Sequence, residues 1–486
     1  MIGTVLCRVG WSLAMAGILL LAGRAGMTLL REPCVGVADN LDYWRVARPA
    51  GIEVPAQAKQ GYYVVCRYET SEAEPLSSLT SPTLIAWLTR ATAGDDRTFD
   101  LRRLGLIYWL STLAVLFVGL IAGADVLLVL ILAWVLYDPG YFLFFNSLYA
   151  DPALIVGLTA TLIVLLLDPF DPVTGSCRGR YAALTLASLI VAAILAGFTK
   201  MQYATFPGIV LACSALTFVV RRSRPRRREY LFLAALAVIA AVAPVHFFYG
   251  AAPRFLDANN FNAVFGGIAR VSSNPATALE ALGIPPPHLD QQPRDYFAAP
   301  RQVIEPVMPH VRELSRVRLA ALYLTDYRAF SRTAKEIHAD LSRVRTHPRG
   351  NYSRTESGPR ARFHQTRTQF SSWRSRLINP LPLWSHLLLA ASMLFLVWRS
   401  VRRQWSGADT GCLFLVSWSV SQFGVVVLGE GFVNLHQHLL GARLGVDLLL
   451  GLSAGRVVSW AVRSLASARG RRARVYFHSR QHLERR

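Results

Sequence analysis

Lysine is nearly absent from this chain. Among 52 basic residues only Lys59, Lys200 and Lys335 are lysines, and the rest are arginines. That bias reads first as genome composition rather than function. Charge of any kind is scarce: 17% of the residues are charged, against about 25% in soluble domains. With 53% hydrophobic residues, the shortage points to lipid as the main solvent. Metal and nucleotide signatures are missing too. The six cysteines form no CxxC or Cys/His spacing, which excludes a zinc-ribbon reading. There is no Walker loop, no HExxH and no dinucleotide fingerprint, so ATP hydrolysis is not expected. The net charge of +22 comes without a zinc-finger, helix-turn-helix or RNA-binding signature, which excludes nucleic acid as the expected partner. No internal repeat supports an inverted-repeat transporter.

What is present is a series of long apolar runs. About 20 apolar residues cross a bilayer core, and runs near that length lie at 9–30, 104–122, 124–138, 152–167, 182–199, 203–220, 230–249, 381–398, 411–428 and 439–462. The expected fold is an all-α polytopic membrane protein of about ten helices. Residues 221–228 read RRSRPRRR, residues 399–403 read RSVRR, and the tail is again Arg-rich. The positive-inside rule places these clusters, and both termini, on the cytoplasmic side. Loops 31–103 and 250–380 are then extracytoplasmic, in the inner membrane of a bacterial-type cell. The expected division is a module at 1–249 of about seven helices with the outer loop 31–103, a loop domain at 250–380, helices at 381–462, and a basic tail at 463–486. Short helices are expected over 300–345, where Val311, Leu314, Val317, Leu319, Leu322 and Leu324 recur at helical spacing. The first apolar run resembles a signal sequence, but no small-x-small cleavage site follows before Arg31, so it reads as an anchor. Cys34 and Cys66 share one outer loop and are either bridged or two free thiols.

Charges at membrane depth usually have a partner or a task, and four stretches carry them. Asp39 and Asp42, three apart and followed by Arg45, can share one helical face, held over the membrane surface. One could take a proton from an acceptor hydroxyl while the other positions it or binds a cation; the alternative is a solvated cap beside a Trp/Tyr belt. Asp138 to Asp151, with Asn146 between them, is aromatic and broken at Pro139 and Gly140. It reads as a helix end, a partly buried surface segment and a new helix, with Asp151 a candidate N-cap before Pro152. Lys200, with Gln202 beside it, is a point charge at a span end that suits the phosphate of a lipid; otherwise it snorkels. The fourth stretch runs from Glu430 to Asp447. His436 and His438, two apart, point away from each other on a helix and do not share a metal. Arg443 can hold phosphate bidentately, or pair with Asp447 at i,i+4.

Five stretches in order along the chain carry a family resemblance. They are Asp42-Tyr-Trp-Arg-Val-Ala-Arg-Pro-Ala-Gly51, Asp138 through Asn146-Ser-Leu-Tyr-Ala-Asp-Pro152, Thr199-Lys-Met-Gln202, Asn260-Phe-Asn-Ala-Val-Phe-Gly-Gly-Ile268 with Leu282-Gly-Ile284, and His438-Leu-Leu through Asp447. Asn351-Tyr-Ser and Phe370-Ser-Ser-Trp373 match more weakly. The chain resembles polytopic bacterial glycosyltransferases of the GT-C class, the membrane hexosyltransferases of surface-glycan (S-layer glycan) synthesis. The pattern often has glutamate where Asp151 stands and asparagine where Arg443 stands. The resemblance implies a sugar donor on a polyprenyl phosphate, an acceptor (glycan, lipid or protein) on the outer face, and an acid of the first outer loop, Asp42 or Asp39, as base. Lys200, Gln202, Arg443, His436 and His438 are the candidate donor-phosphate residues. Asp151 is a further catalytic candidate, and Asp138, Asn146 and Arg45 line the site. The pattern fixes no cofactor, and a divalent cation is a candidate. Two rivals remain: a transporter or flippase of a lipid-linked saccharide, and a non-catalytic assembly protein that docks partners through 250–380.

Overall fold

Each of the ten apolar runs folds as a helix. The structure, a computed structural model, describes residues 2–38, 43–53, 63–72, 79–92, 98–170, 178–223, 225–250, 253–285, 295–343, 350–353 and 369–483. The helices are Ile2–Leu29, Leu101–Ile121, Val126–Leu136, Asp151–Leu166, Arg178–Gly197, Phe206–Arg221, Arg227–Gly250, Trp384–Val401, Gly407–Glu430 and Leu440–Leu483. Among the described residues seven helices are long and apolar enough to cross a membrane, and a bent pair makes an eighth. Two more, Asp151–Leu166 and Ala183–Gly197, are shorter. Asp151–Leu166 is buried along nearly its whole length, so the bundle, not lipid, covers its apolar surface. The chain is a multi-pass membrane protein. Its last helix runs past the expected boundary at 462 because no proline interrupts it.

Side-chain caps fix where several spans begin. The Asp100 carboxylate accepts from the Arg102 amide at 2.9 Å and starts Leu101–Ile121. Asp125 accepts from the amides of Leu127 and Leu128 and starts Val126–Leu136. Ser406 and Asp409 form a capping box at the head of Gly407–Glu430. Asp409 also binds Arg399 at 3.1 Å and Arg456 at 2.7 Å, tying three helices together at the end away from the long loops.

The aromatic stretch after Val126–Leu136 differs from expectation. It is a helical turn, Pro139–Phe142, and a 3-10 turn, Leu143–Phe145, bent by 58° from the preceding helix. Its residues are buried rather than lying partly on the surface, because Tyr141, Phe142, Phe144 and Phe145 are all drawn into the bundle core.

The two long loops share one face of the bundle. The first is not purely helical. It holds an antiparallel three-stranded sheet of Ile52–Glu53, Arg67–Thr70 and Thr98–Asp100, in that order, with Ile52 opposite Thr70 and Tyr68 opposite Phe99. These strands are too short for an alternating pattern to show in sequence. Cys34 and Cys66 are joined in a disulfide. Residues 35–38 run between two distant segments: Gly36 N donates to Asn351 O, Val37 N to Asn146 O and Ala38 N to Gly350 O.

The second loop supplies the expected short helices Arg301–Ile304, Met308–Arg312, Arg316–Thr325 and Tyr327–Leu341. Asp326 caps the last of these through the amides of Arg328 and Ala329. The loop's core is not separate from the bundle. Phe261, Phe265, Leu279, Val311, Leu319 and Leu341 pack with Trp384, Val426, Leu435 and Val446 from the span ends. Phe370, by contrast, packs into the core of the N-terminal helices.

Candidate functional site

Two charged clusters lie on the face that carries the long loops. The first is built on the helix starting at Asp151. Asp151 is not an N-cap: it occupies the first helical turn, and the capping residue, Ala150, makes no side-chain bond. Its carboxylate instead accepts from Lys200 Nζ at 2.9 Å and from Tyr203 OH at 2.6 Å. The Lys200 ammonium lies 4.5 Å from the centre of the Tyr203 ring. Lys200 is therefore paired rather than snorkelling. Tyr203 is held in turn by Trp418, with ring centres 5.6 Å apart.

Gln202, between Lys200 and Tyr203 in sequence, reaches the other side of the site. Its amide nitrogen donates to the His438 carbonyl and, at 3.1 Å, to Gln422 Oε1. Gln202 Oε1 faces His438 Nδ1 at 3.4 Å. The other ring nitrogen of His438 lies 2.6 Å from Glu430 Oε2. The Glu430 carboxylate also interacts with the positive charges of Arg45 and Lys200. Arg45 sits over the Phe255 ring at 4.4 Å, and Phe255 stacks on Trp44 at 5.7 Å. The first long loop, the second long loop and the span ends therefore meet at one partly exposed spot, where the positive charges of Lys200 and Arg45 stand with the carboxylates of Asp151 and Glu430. Lys200, His438 and Glu430 keep 24%, 20% and 29% of their side-chain surface exposed there.

The second cluster is dry. Asp447 binds Arg374 bidentately and accepts from Tyr141 OH at 2.5 Å, and both charged side chains are 1% exposed. The expected Arg443–Asp447 pair does not form. Arg443 turns to Asp340 of the second loop, with bonds of 2.9 Å to its carboxylate and 3.0 Å to its carbonyl. Two carboxylates compete for two arginines here, and Arg374, arriving from the loop, takes Asp447. Asp138 caps the turn beginning at Pro139 through the Gly140 amide and accepts from the amide and hydroxyl of Ser371 at 2.9 and 2.7 Å. Asp138 and Arg443 thus fasten the second loop to the bundle and are not part of the Lys200 cluster.

The other predicted residues fall elsewhere. Asn146 is buried and donates to Leu29 O at 2.7 Å and Val35 O at 2.8 Å, so it pins the chain leaving the first span. His436 faces the neighbouring Gln437 side chain at 3.5 Å. Asp39 and Asp42 lie outside the described residues. Among the described residues no three His, Cys, Asp or Glu side chains gather as metal ligands.

Sequence reasoning missed Tyr203, Gln422, Arg374, Asp340 and Ser371, whose bonds to Asp151, Gln202, Asp447, Arg443 and Asp138 each span 52 or more positions. Glu430 carried a visible signal, since it closes an apolar run between two glycines. Gly451-Leu-Ser453-Ala-Gly455 has the spacing of a hydrolase nucleophile elbow, but it lies inside the continuous last helix rather than on a strand-to-helix turn.

A family model for the YfdI N-terminal transmembrane domain matches residues 7–475. No curated protein sequence matches the chain. Among solved structures, the archaeal oligosaccharyltransferase AglB from Archaeoglobus fulgidus, in complex with an inhibitory peptide and a dolichol-phosphate, is similar at 12% identity and a TM-score of 0.40, over 94% of this chain and 52% of that one. The apo form of the Archaeoglobus fulgidus oligosaccharyltransferase gives 12% identity and 0.39, with the same coverage. The chain spans about half the length of these structures.

Proposed function

The chain belongs to the YfdI N-terminal transmembrane domain family, and on that premise we propose that it is a membrane glycosyltransferase. It moves a sugar from a polyprenyl-phosphate donor to an acceptor, with the loop face outside the cytoplasmic membrane and both termini inside. The observation that carries this reading is the cluster of Lys200, His438 and Arg45 at the span ends, at the level where a lipid held in the bilayer presents its phosphate. The five-stretch resemblance to GT-C hexosyltransferases supports it.

The chemistry is a single inverting displacement at the anomeric carbon. Asp42, or Asp39 beside it, takes the proton of the acceptor hydroxyl. That oxygen bonds to the anomeric carbon as the bond from carbon to phosphate oxygen breaks. The electron pair leaves on the lipid phosphate, where Lys200 and His438 stabilise it. Asp151 and Tyr203 hold Lys200 in place, and Gln202 with Gln422 holds His438. Preorganised cations at a leaving group are worth several kcal/mol because they need no reorganisation during the reaction.

The placement of charge favours an enzyme over a flippase. In the described spans the acidic and basic residues lie within about two turns of a helix end, and none forms a polar path across the middle. The deciding experiment gives purified protein in lipid a panel of polyprenyl-phosphate sugars and follows transfer. Wild type is expected to transfer, and Asp42→Asn to lose transfer while still folded. Full activity in Asp42→Asn moves the base to Asp39 or Asp151. Movement of a lipid-linked glycan across the bilayer without transfer from any donor would overturn the enzyme reading.

A further inference from the structure

The Lys200 cluster already holds an anion with some access to solvent. Glu430 ends the helix Gly407–Glu430. Its carboxylate is 2.6 Å from His438 Nε2 and also interacts with Arg45 and Lys200. One acid thus touches His438 and feels the charges of Lys200 and Arg45, basic residues from three distant parts of the chain. Asp151 is already bonded to Lys200 and Tyr203 beneath it and is 4% exposed, whereas the Glu430 side chain is 29% exposed.

The backbone behind Glu430 is fixed. Gly431 has φ of +64°, and a Cβ there would come within 2.6 Å of Asn262 O and 2.7 Å of the Gly267 Cα. Phe432 N donates to Gly266 O at 3.1 Å across the same contact. The side-chain torsions of Glu430 can turn, but its Cα cannot move away.

From this we infer that the Glu430 carboxylate occupies the seat of the ligand phosphate and is the resident counter-ion that a phosphodiester displaces. A carboxylate and a phosphodiester each carry one negative charge and accept the same charge-assisted bonds from lysine, histidine and arginine. They cannot share the spot, because like charges at contact distance repel. While the site is empty, Glu430 keeps the cations neutralised and discourages capture of small anions. When the lipid phosphate arrives, the side chain rotates to solvent. The inference rests on the proposed function for the identity of that phosphodiester.

The test uses full-length protein in lipid nanodiscs, with inorganic phosphate and a panel of polyprenyl-phosphate sugars as separate probes. Glu430→Gln is expected to bind both at least about fivefold more tightly than wild type, the lower end of the usual coupling between sites. Glu430→Asp, which keeps the charge, is expected to show no gain, and adding Lys200→Met to Glu430→Gln should abolish it. Thermal melts report that each variant is folded. Unchanged or weaker binding of inorganic phosphate by folded Glu430→Gln would overturn the inference and make Glu430 a positioning residue for His438. A gain for inorganic phosphate with no binding of the polyprenyl donor by any variant would leave the counter-ion standing and sink the proposed donor instead.

Discussion

The two charged clusters on the loop face are built from the same kinds of residue and differ in how completely the charges are enclosed. In one, Arg374 binds Asp447 and Arg443 binds Asp340, and each of these four side chains is at most 4% exposed, with Arg343 reaching Asp340 at 3.5 Å from the surface. In the other, Lys200, His438, Glu430 and Arg45 form an open group whose members partly reach solvent. A sealed pair is closed to a ligand by its burial. Its energetic role is that neither member can be removed alone. An open group leaves its charges available for exchange. Intramembrane charge is thus a sign of function only where its partner can be replaced.

The strongest attack on this contrast is Arg374→Met, which strands Asp447 with only the Tyr141 hydroxyl. It should lower the unfolding free energy by about 3–5 kcal/mol, measured by denaturation in lipid, and Arg374→Met with Asp447→Leu should recover most of that. A stable but inactive Arg374→Met protein would put the sealed cluster in the catalytic site and end the distinction. Lys200→Met should do the reverse. Transfer should fall by about 100- to 1000-fold, while unfolding free energy drops by about 1–2 kcal/mol because Asp151 keeps its Tyr203 bond.

Asn146→Ala should cost about 2 kcal/mol, as two buried carbonyls lose their donor; a melt that does not move would show that water replaces it.

The smallest effect belongs to Asp326, which lies outside both clusters and calibrates ordinary capping. Asp326→Ala should cost about 1 kcal/mol at neutral pH. Burial pushes the Asp326 carboxyl up, but the donors of Ser273, Ala329 and Ser272 outweigh it and hold the group below the usual carboxylate range. Its folded pKa is lowered, so its contribution is present above the unfolded value of about 3.9 and is lost as pH falls below it. The difference between variant and wild type should therefore close in acid, read as converging unfolding midpoints.

Much of the fold was legible because a bilayer demands length, and apolar runs announce length directly. All ten runs are helices, and the texture of 300–345 gave its short helices. What sequence could not supply was pairing across distance. Arg443 had an obvious partner four residues away in Asp447, yet took Asp340, 103 positions earlier. Lys200 and Asp151 were singled out separately, and nothing local showed that they touch across 49 positions. The three short strands were missed because two to four residues carry no usable period. Asp138 was marked by Pro139 as a helix-starting acid, while its second partner, Ser371, came from the far loop.

Residues 35–38 bear on how the protein can be rebuilt. Their backbone is bonded to Asn146, Gly350 and Asn351, and the Asn351 side chain returns a bond of 2.7 Å to Gly36 O. The first loop is therefore not an exchangeable cassette. A chimera that grafts it from a relative will lose the two clamps that hold residues 35–38, unless the segments around 146 and 350 are transplanted with it.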